Sequence, residues 1–513
     1  MDEVGQRRLL VVSDMHLGRD CKDITGFNRT ARPDDKFDQA FIDMLDHYTS
    51  AREREWRLIF AGDMIDFVEV VVVPGAKGPL NLKLSFEISE EEREFGLGSE
   101  AERALVKLDK TLEYHSKLFV RLAHFIREGG EVVIIRGNHD TELYWRKVQK
   151  VLRRRLADLA FRGQKYDIDE TIDKRTDFQS RLGFSPWMYV EPGRIWIEHG
   201  HQYDPYCSYD KQLYPVSPQN PRKIDTPLFA FAMRYFVNML SDFAPHNADM
   251  WGPRDYFEWL RNKGMSGLLY TAKMGLGAGI RMLLYAGHFA LGRVRRYGKE
   301  HNKNLRLEAK KYGVPKEKLQ EIDQLRHVPV NRNLPELMRL LFLDRILLVA
   351  GCLTLAMLML LVFESPWFEL AGIVTVALIG LQINRKLAPR RYFLPGPKQQ
   401  EAAKKIAKVM DVPLVVMGHS HVRRSSEIGP GKLYVNTGCW LPPLDGAPEH
   451  TDVNQPCTCK LSHLVVEDKP ELRVFCRAAQ TVRLADVAET KPHRDDEEGH
   501  DVMHNNTADI LTS

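Results

Sequence analysis

The sequence has little cysteine. Seven are scattered over 513 residues, at positions 21, 207, 352, 439, 457, 459 and 476, and an odd, dispersed set builds no disulfide framework. Cys457-Thr-Cys459 offers half a metal site, and no second pair completes it. A charged-then-apolar leader pattern is missing from the opening residues, where Leu9–Val12 already reads as a buried strand. These absences point to a reducing, cytosol-facing compartment. Charge of one sign is also lacking. A net charge of +4, with 28% charged and 44% apolar residues, excludes a chain-wide nucleic-acid footprint and leaves only local basic surfaces. The length allows about two or three domains around a sizeable core.

What is present is a series of short apolar runs that end in reactive groups. Leu9–Val12 leads into Asp14, Leu58–Ala61 into Gly62-Asp63, and Val132–Ile135 into Gly137-Asn138-His139-Asp140. Ile195–Ile197 leads into Glu198-His199-Gly200-His201, and Leu414–Met417 into Gly418-His419-Ser420-His421. Runs of this length and β-branched content predict strands. Leu105, Leu108, Leu112, Leu118, Leu122 and Phe125 recur at helical spacing before the third run. Further strands are expected over Lys432–Val435, Leu461–Val466 and Leu472–Phe475. This alternation predicts a layered α/β sandwich, with the polar groups at the carboxyl ends of strands, where such sheets bind ligands.

The series is interrupted between His201 and His419 by far more chain than a crossover requires. Pro227–Leu291 reads as helical and aromatic-rich, with Leu268–Leu291 resembling an interfacial or acyl-binding helix because of Lys273 and Arg281. A charged helical stretch runs to Leu325. Ile346–Phe363 is apolar or small throughout and carries no charge; Glu364-Ser365-Pro366-Trp367 interrupts, and Leu370–Ile383 gives a shorter second run. These shifts divide the chain into a core's first part (1–205), a helical insertion acting as lid or membrane-surface element (206–330), a hydrophobic hairpin with basic flanks (331–400), the core's second part (401–485) and a disordered tail (486–513).

The five motifs together supply aspartate, asparagine and up to six histidines. Carboxylate and imidazole suit manganese, iron, zinc or similar divalent ions, and a carboxylate between two ions bridges them at about 3.5–4 Å. For His139 the alternatives are chemistry on the substrate or a structural place behind the ligands. For His201 they are support of a ligand, contact with substrate, or neither.

The ordered set Asp14-Met-His16, Gly62-Asp63, Gly137-Asn138-His139-Asp140, His199 and Gly418-His419-Ser-His421 resembles the calcineurin-like metallophosphoesterase superfamily. The resemblance covers about residues 1–205 and 411–476 and implies a four-layer αββα sandwich. It implies two divalent ions, manganese first, with iron, zinc or magnesium as alternatives. One would take Asp14, His16, Asp63 and His421; the other would take Asp63, Asn138, His199 and His419. It also implies that His139 faces the scissile phosphate without being a ligand, and that Asp140 orients it. Within the superfamily, Ser13-Asp-Met-His-Leu-Gly18, Gly62-Asp-Met-Ile-Asp-Phe67 and Glu198-His-Gly-His-Gln-Tyr-Asp204 look closest to the UDP-2,3-diacylglucosamine pyrophosphatase branch. Enzymes of that branch carry arginine where this chain has His139, and they lack a long apolar run.

The expectation is therefore a metal-dependent phosphoesterase acting on a phosphoester or pyrophosphate bond of an amphipathic or lipid substrate at a membrane, with no nucleic acid as partner. Two alternatives remain open: a nucleotide or nucleic-acid phosphodiesterase, and a non-catalytic membrane scaffold on the same fold. Arg332, Arg339 and Arg345 precede the apolar runs, and Arg385, Lys386, Arg390 and Arg391 follow them. That distribution predicts two crossings, or a re-entrant hairpin, with the catalytic part facing the cytoplasm.

Overall fold

The computed structural model describes residues 7–19, 35–50, 56–73, 85–164, 168–240, 253–290, 295–341, 343–363, 365–387, 395–441, 461–476 and 481–484. The expected tail over 486–513 and the Cys457–Cys459 pair lie outside them. Two sheets carry the fold. Strands β1 (Arg8–Val12), β2 (Trp56–Ala61), β3 (Glu131–Ile135) and β4 (Leu182–Ser185) run parallel. Strands β10 (Ser462–Val466), β11 (Pro470–Cys476) and β12 (Thr481–Leu484) add antiparallel beside β1. The second sheet has the order β5-β6-β7-β9-β8, comprising Met188–Glu191, Ile195–Glu198, Leu414–Met417, Lys432–Asn436 and Arg424–Gly429 in that order.

Alternation of side chains along a strand explains why the central strands read as unbroken apolar runs. Leu10, Val12, Leu58, Phe60, Val132 and Ile134 face a helical layer that includes α1 (Asp35–Thr49), α4 (Ser116–Arg127) and α5 (Arg146–Ala160). Leu9, Val11, Ile59, Ala61 and Ile135 face the other way and meet Ile195, Ile197, Leu414, Val416 and Val435 of the second sheet. Both faces are dry past the first residues of each strand, so polar residues (Arg8, Arg57 and Glu131) occur only at the strand starts. The edge strand β8 shows the contrary case: its Arg-Ser-Ser-Glu sequence has no apolar run to announce it.

The helical pattern before β3 is broken in two. Helix α3 (Ala101–Tyr114) ends at His115, and α4 begins at Ser116. The step from Leu112 to Leu118 falls one residue short of two full turns, and the helix restarts there to keep both faces buried. His115 is itself buried, accepting the Gly18 N–H at Nε2 (3.0 Å), with Nδ1 2.9 Å from Asp38.

In the long interval, α7 (Leu228–Tyr235), α8 (Pro253–Asn262) and α9 (Gly264–Ala290) come first. Met282 and Ala286 on one face of α9 pack against Leu228, Phe231, Val330 and Leu337. Helices α10 (Arg295–Tyr312) and α11 (Lys316–Asp323) were expected within the insertion. They join α15 (Pro395–Met410) over the outer face of the second sheet, where Leu305, Leu319 and Ile406 share a core with Trp196 and Val415. Between them, α12 (Leu334–Leu340) leads into α13 (Leu343–Val362) and α14 (Pro366–Leu387). These last two, of 20 and 22 residues, pair antiparallel. Arg345 donates to the Asn384 carbonyl at 2.9 Å, Gly380 faces Cys352 and Gly372 faces Met359. The second limb is longer than its uncharged run because Trp367–Glu369 and Asn384–Leu387 are also helical. Both limbs are long and apolar enough to cross a membrane, and their apolar windows are 0% and 6% buried.

One buried histidine gives this fold a pH dependence of its own. His463 of β10 is fully buried, with Nε2 2.8 Å from the Tyr48 hydroxyl. Burial, with help from the Arg473 guanidinium, lowers its pKa to about 3 from an ordinary 6.5. The folded state therefore resists a proton that the unfolded chain accepts. This contribution is complete above the unfolded value and is lost as pH falls through 6.5 toward 3. The thermal midpoint is expected to fall between pH 7 and 5, and His463→Gln to flatten that slope while lowering the midpoint at pH 7. A slope unchanged by the substitution would assign it to other groups.

Candidate metal centre

Strand ends β1, β2, β3, β6 and β7 deliver Asp14 and His16, Asp63, Asn138, His199, and His419 and His421 to one edge of the two sheets. Asp14, His16, Asp63, Asn138 and His199 are buried. The backbone there is unusual. Asp14 (φ 54°), His16 (47°), Asp63 (54°), His419 (69°) and His421 (56°) are all left-handed; among the described non-glycine residues only Asp411 (52°) shares this. Such a conformation costs roughly 1–2 kcal/mol per residue and persists where surrounding contacts over-determine it. Here they do: the Asp14 N–H donates to Gly62 O (3.1 Å), His16 N–H to Asp63 O (2.9 Å), and His419 N–H to the Asp14 carboxylate (3.0 Å). Two motif glycines are explained by crowding alone. A Cβ on Gly62 would overlap the His199 ring, and one on Gly137 would overlap the Asp63 carboxylate.

The donors fall into two adjoining groups. Asp14, His16 and His421 each bring an atom within 4.8 Å of the others. His421 Nε2 lies 3.3 Å from Asp14 Oδ1 and 3.2 Å from His16 Nε2. Asp14, Asp63 and His199 form the second group. His199 Nε2 is 3.0 Å from Asp63 Oδ2 and 3.0 Å from Asn138 Oδ1. Asp63 Oδ2 also stands 3.9 Å from His16 Nε2, so this one oxygen faces both groups. His419 is turned differently. Its ring lies 5.3 Å from that of His199, and its Nε2 is 3.1 Å from Asp204 Oδ2. His201 is buried with its ring 5.4 Å from His199, and no hydrogen-bond partner is found for its Nδ1.

The orientation of His139 requires a correction. Its Nδ1 lies 2.8 Å from Asp66 Oδ2, and the same oxygen is 2.9 Å from His16 Nδ1. Asp140, expected to orient His139, instead accepts the Gly137 N–H (2.6 Å) and the Met64 N–H (3.0 Å). It pins the loops that carry Asp63 and Asn138. Asp66 and Asp204 lie within the longer motifs and have no role assigned from the sequence; the usable signal is the position of Asp66, three residues after Asp63.

Electrostatics suit cations at this edge. Burial opposes ionisation of Asp14, yet His199 and His421 bring its pKa down to about 2. Asp63 lies well below the usual carboxylate range, with burial overcome by His199 and His139, and Asp66 does so through His139 and His16. Burial works against His199 as a cation, but Asp63 and Asp14 raise its pKa to about 9. Three buried carboxylates need positive partners. Two divalent ions on the two donor groups would meet that need with ligands of suitable chemistry, in place of imidazole protons.

Residues 7–288 match the family model described as calcineurin-like phosphoesterase. The match takes in Asp14 through His201 and ends before His419 and His421, which the second sheet returns to the same edge. No curated protein and no solved structure matches the chain.

Two substitutions separate the roles. Asp63→Asn is expected to reduce metal content at both groups and to abolish turnover. His139→Asn is expected to keep most of the metal while losing about 10²–10⁴-fold in rate, the usual worth of a proton-transfer group. Elemental analysis beside a phosphoesterase assay checks both; proportional metal loss in the second variant would make His139 a ligand.

Proposed function

The chain belongs to the calcineurin-like phosphoesterase family, and from that premise we propose that it hydrolyses a phosphoester or pyrophosphate bond in an amphipathic or lipid-linked molecule at a membrane. The observation that carries the hydrolytic reading is the pair of donor groups facing the single Asp63 oxygen, with His139 beside them. Bound there, two divalent ions, manganese first, would supply a hydroxide nucleophile and neutralise phosphoryl charge. Asp14, His16 and His421 would hold one ion; Asn138 and His199, with His419 alongside, would hold the other; Asp63 would serve both. His139, fixed at Nδ1 by Asp66, is suited to deliver a proton to the leaving oxygen. A complete donor set favours this over a non-catalytic scaffold.

The substrate class is argued from what adjoins the metal edge. A cavity of about 390 Å³ begins at Asn138 and Phe67 and continues past Val70, Phe95, Phe231 and Tyr235. Those walls alternate with Glu91, Lys107, Lys223, Asp225 and Arg234, and the mixture suits an amphipathic molecule, as in substrates of the UDP-2,3-diacylglucosamine pyrophosphatase-like branch that the motifs resemble. The hairpin α13–α14 supports a membrane location. Ligands lie on both sides of it in sequence, so a single crossing would part His419 and His421 from Asp14 and Asp63. An even number of passes, or a re-entrant hairpin, keeps them together. Arg345 at one base and Arg385 and Lys386 at the other favour bases on the cytoplasmic side.

The test is a panel of phosphomonoesters, phosphodiesters and lipid pyrophosphates with Mn²⁺, Mg²⁺, Zn²⁺ and Fe²⁺. Lipid substrates in mixed micelles are expected to give the highest kcat/KM. Equal efficiency on short-chain soluble esters would remove the amphipathic substrate while leaving the phosphoesterase.

A further inference from the structure

We infer that the outer face of α9 is a membrane-contact surface that rests on an anionic lipid bilayer. The helix is apolar on two sides, and among the described residues only one of them has protein packed against it. Thr271, Met282 and Ala286 are buried toward α7 and the segment around Val330. On the other side Met265, Leu269, Leu276, Ile280 and Leu284 are 71%, 64%, 68%, 50% and 63% exposed, at successive steps of about one or two turns. A stripe of this length on one face lies beyond the isolated apolar residues that ordinary surfaces carry.

Charge selects the occupant. Gly264–Ala290 contains no aspartate or glutamate, and its full charges are Lys273 and Arg281. Lys273 is exposed, and Arg281 reaches Glu94 at 3.8 Å. Arg293, Arg295 and Arg296 follow in sequence. Lys273 falls on the apolar stripe itself, between Leu269 and Leu276, where its long stem can lie along acyl chains while the ammonium reaches an anionic head group. Two copies of this face would instead bring like charges together.

Continuity points the same way, and here the inference rests on the membrane reading of the hairpin. Leu341, which caps α12 just before α13, sits against α9: a Cβ on Gly279 would lie 3.9 Å from its Cδ2. The stripe thus belongs to the helix beside the root of two apolar limbs that are scarcely buried in the protein. Phe231 both packs with α9 and lines the cavity beside Asn138. A bilayer on α9 would stand one helix away from that cavity, so an amphipathic substrate could enter it from the lipid surface.

Photo-crosslinking in the full-length chain tests this. Benzoylphenylalanine replaces Leu276, Leu353 of the hairpin, or Glu317 on the exposed side of α11, in protein reconstituted into vesicles of phosphatidylcholine and phosphatidylglycerol. Irradiation is expected to add the mass of one phospholipid at positions 276 and 353 and none at 317. Lipid addition at 353 alone overturns the α9 surface and leaves the hairpin reading standing. A chain-to-chain adduct from 276 overturns it in favour of a second copy. No lipid at either position overturns the hairpin reading and the surface together.

Discussion

Negative charge buried at a sheet edge is the constraint around which this structure is arranged. Asp14, Asp63 and Asp66 are each at most 1% exposed, within reach of one another's histidine partners. Carboxylates in that setting are tolerated only with close positive charge and full hydrogen bonding. The histidines supply part of it, backbone N–H groups supply more, and the Asp/His groups around Asp63 could hold cations that supply the rest. The left-handed turns and the glycines beside them follow from the same demand. They let five strand ends bring side chains inward from two sheets without the backbones colliding.

The constraint reaches well beyond the edge. Because His419 and His421 come from β7, the second sheet has to close on the first after the whole interval from His201. Whatever lies between must return to its starting point, and the antiparallel α13–α14 pair does so through contacts such as Gly380 on Cys352. Helices α10 and α11 are part of that closure and not ornaments on it. Their apolar faces cover the outside of β6 and β7, so the sheet that carries His199 and His419 would lose its cover without them.

Much of this was legible in the sequence where a strand is dry on both sides. Leu9–Val12, Leu58–Ala61, Val132–Ile135 and Leu414–Met417 could be read because neither parity admits a polar residue, and each motif follows its run directly. The edge strand β8 could not, since its residues are polar and its pairing is set by β9. The division at His115 was visible only as a one-residue slip in phase. Candidate donors could be picked out because metal chemistry restricts residue type, and the structure brings Asp14, His16, Asp63, His199 and His421 together. The partners of those donors were harder to read, because any nearby carboxylate in sequence could have served. Asp140 is next to His139 in the chain, yet it accepts the Gly137 N–H of its own loop and the Met64 N–H of the loop after β2; the carboxylate that reaches the ring, Asp66, comes from the turn after β2.

Asp66 shows why adjacency misleads here. Its Oδ1 accepts the Val68 and Glu69 N–H groups at 3.0 and 2.6 Å, which fixes the turn after β2. Its Oδ2 faces Nδ1 of both His16 and His139. A carboxylate has about four acceptor positions, and all are committed. One side chain therefore sets the turn that follows Asp63, the tautomer of the candidate ligand His16 and the tilt of His139. With Nδ1 of His16 held as a donor, its Nε2 is the nitrogen left to face an ion, which is how ligand histidines are commonly oriented. The same logic gives His139 a fixed ring plane 4.4 Å from His16 and nearly perpendicular to it. The group proposed to move a proton is thus positioned by the same atom that positions a ligand, and neither can shift without disturbing the other.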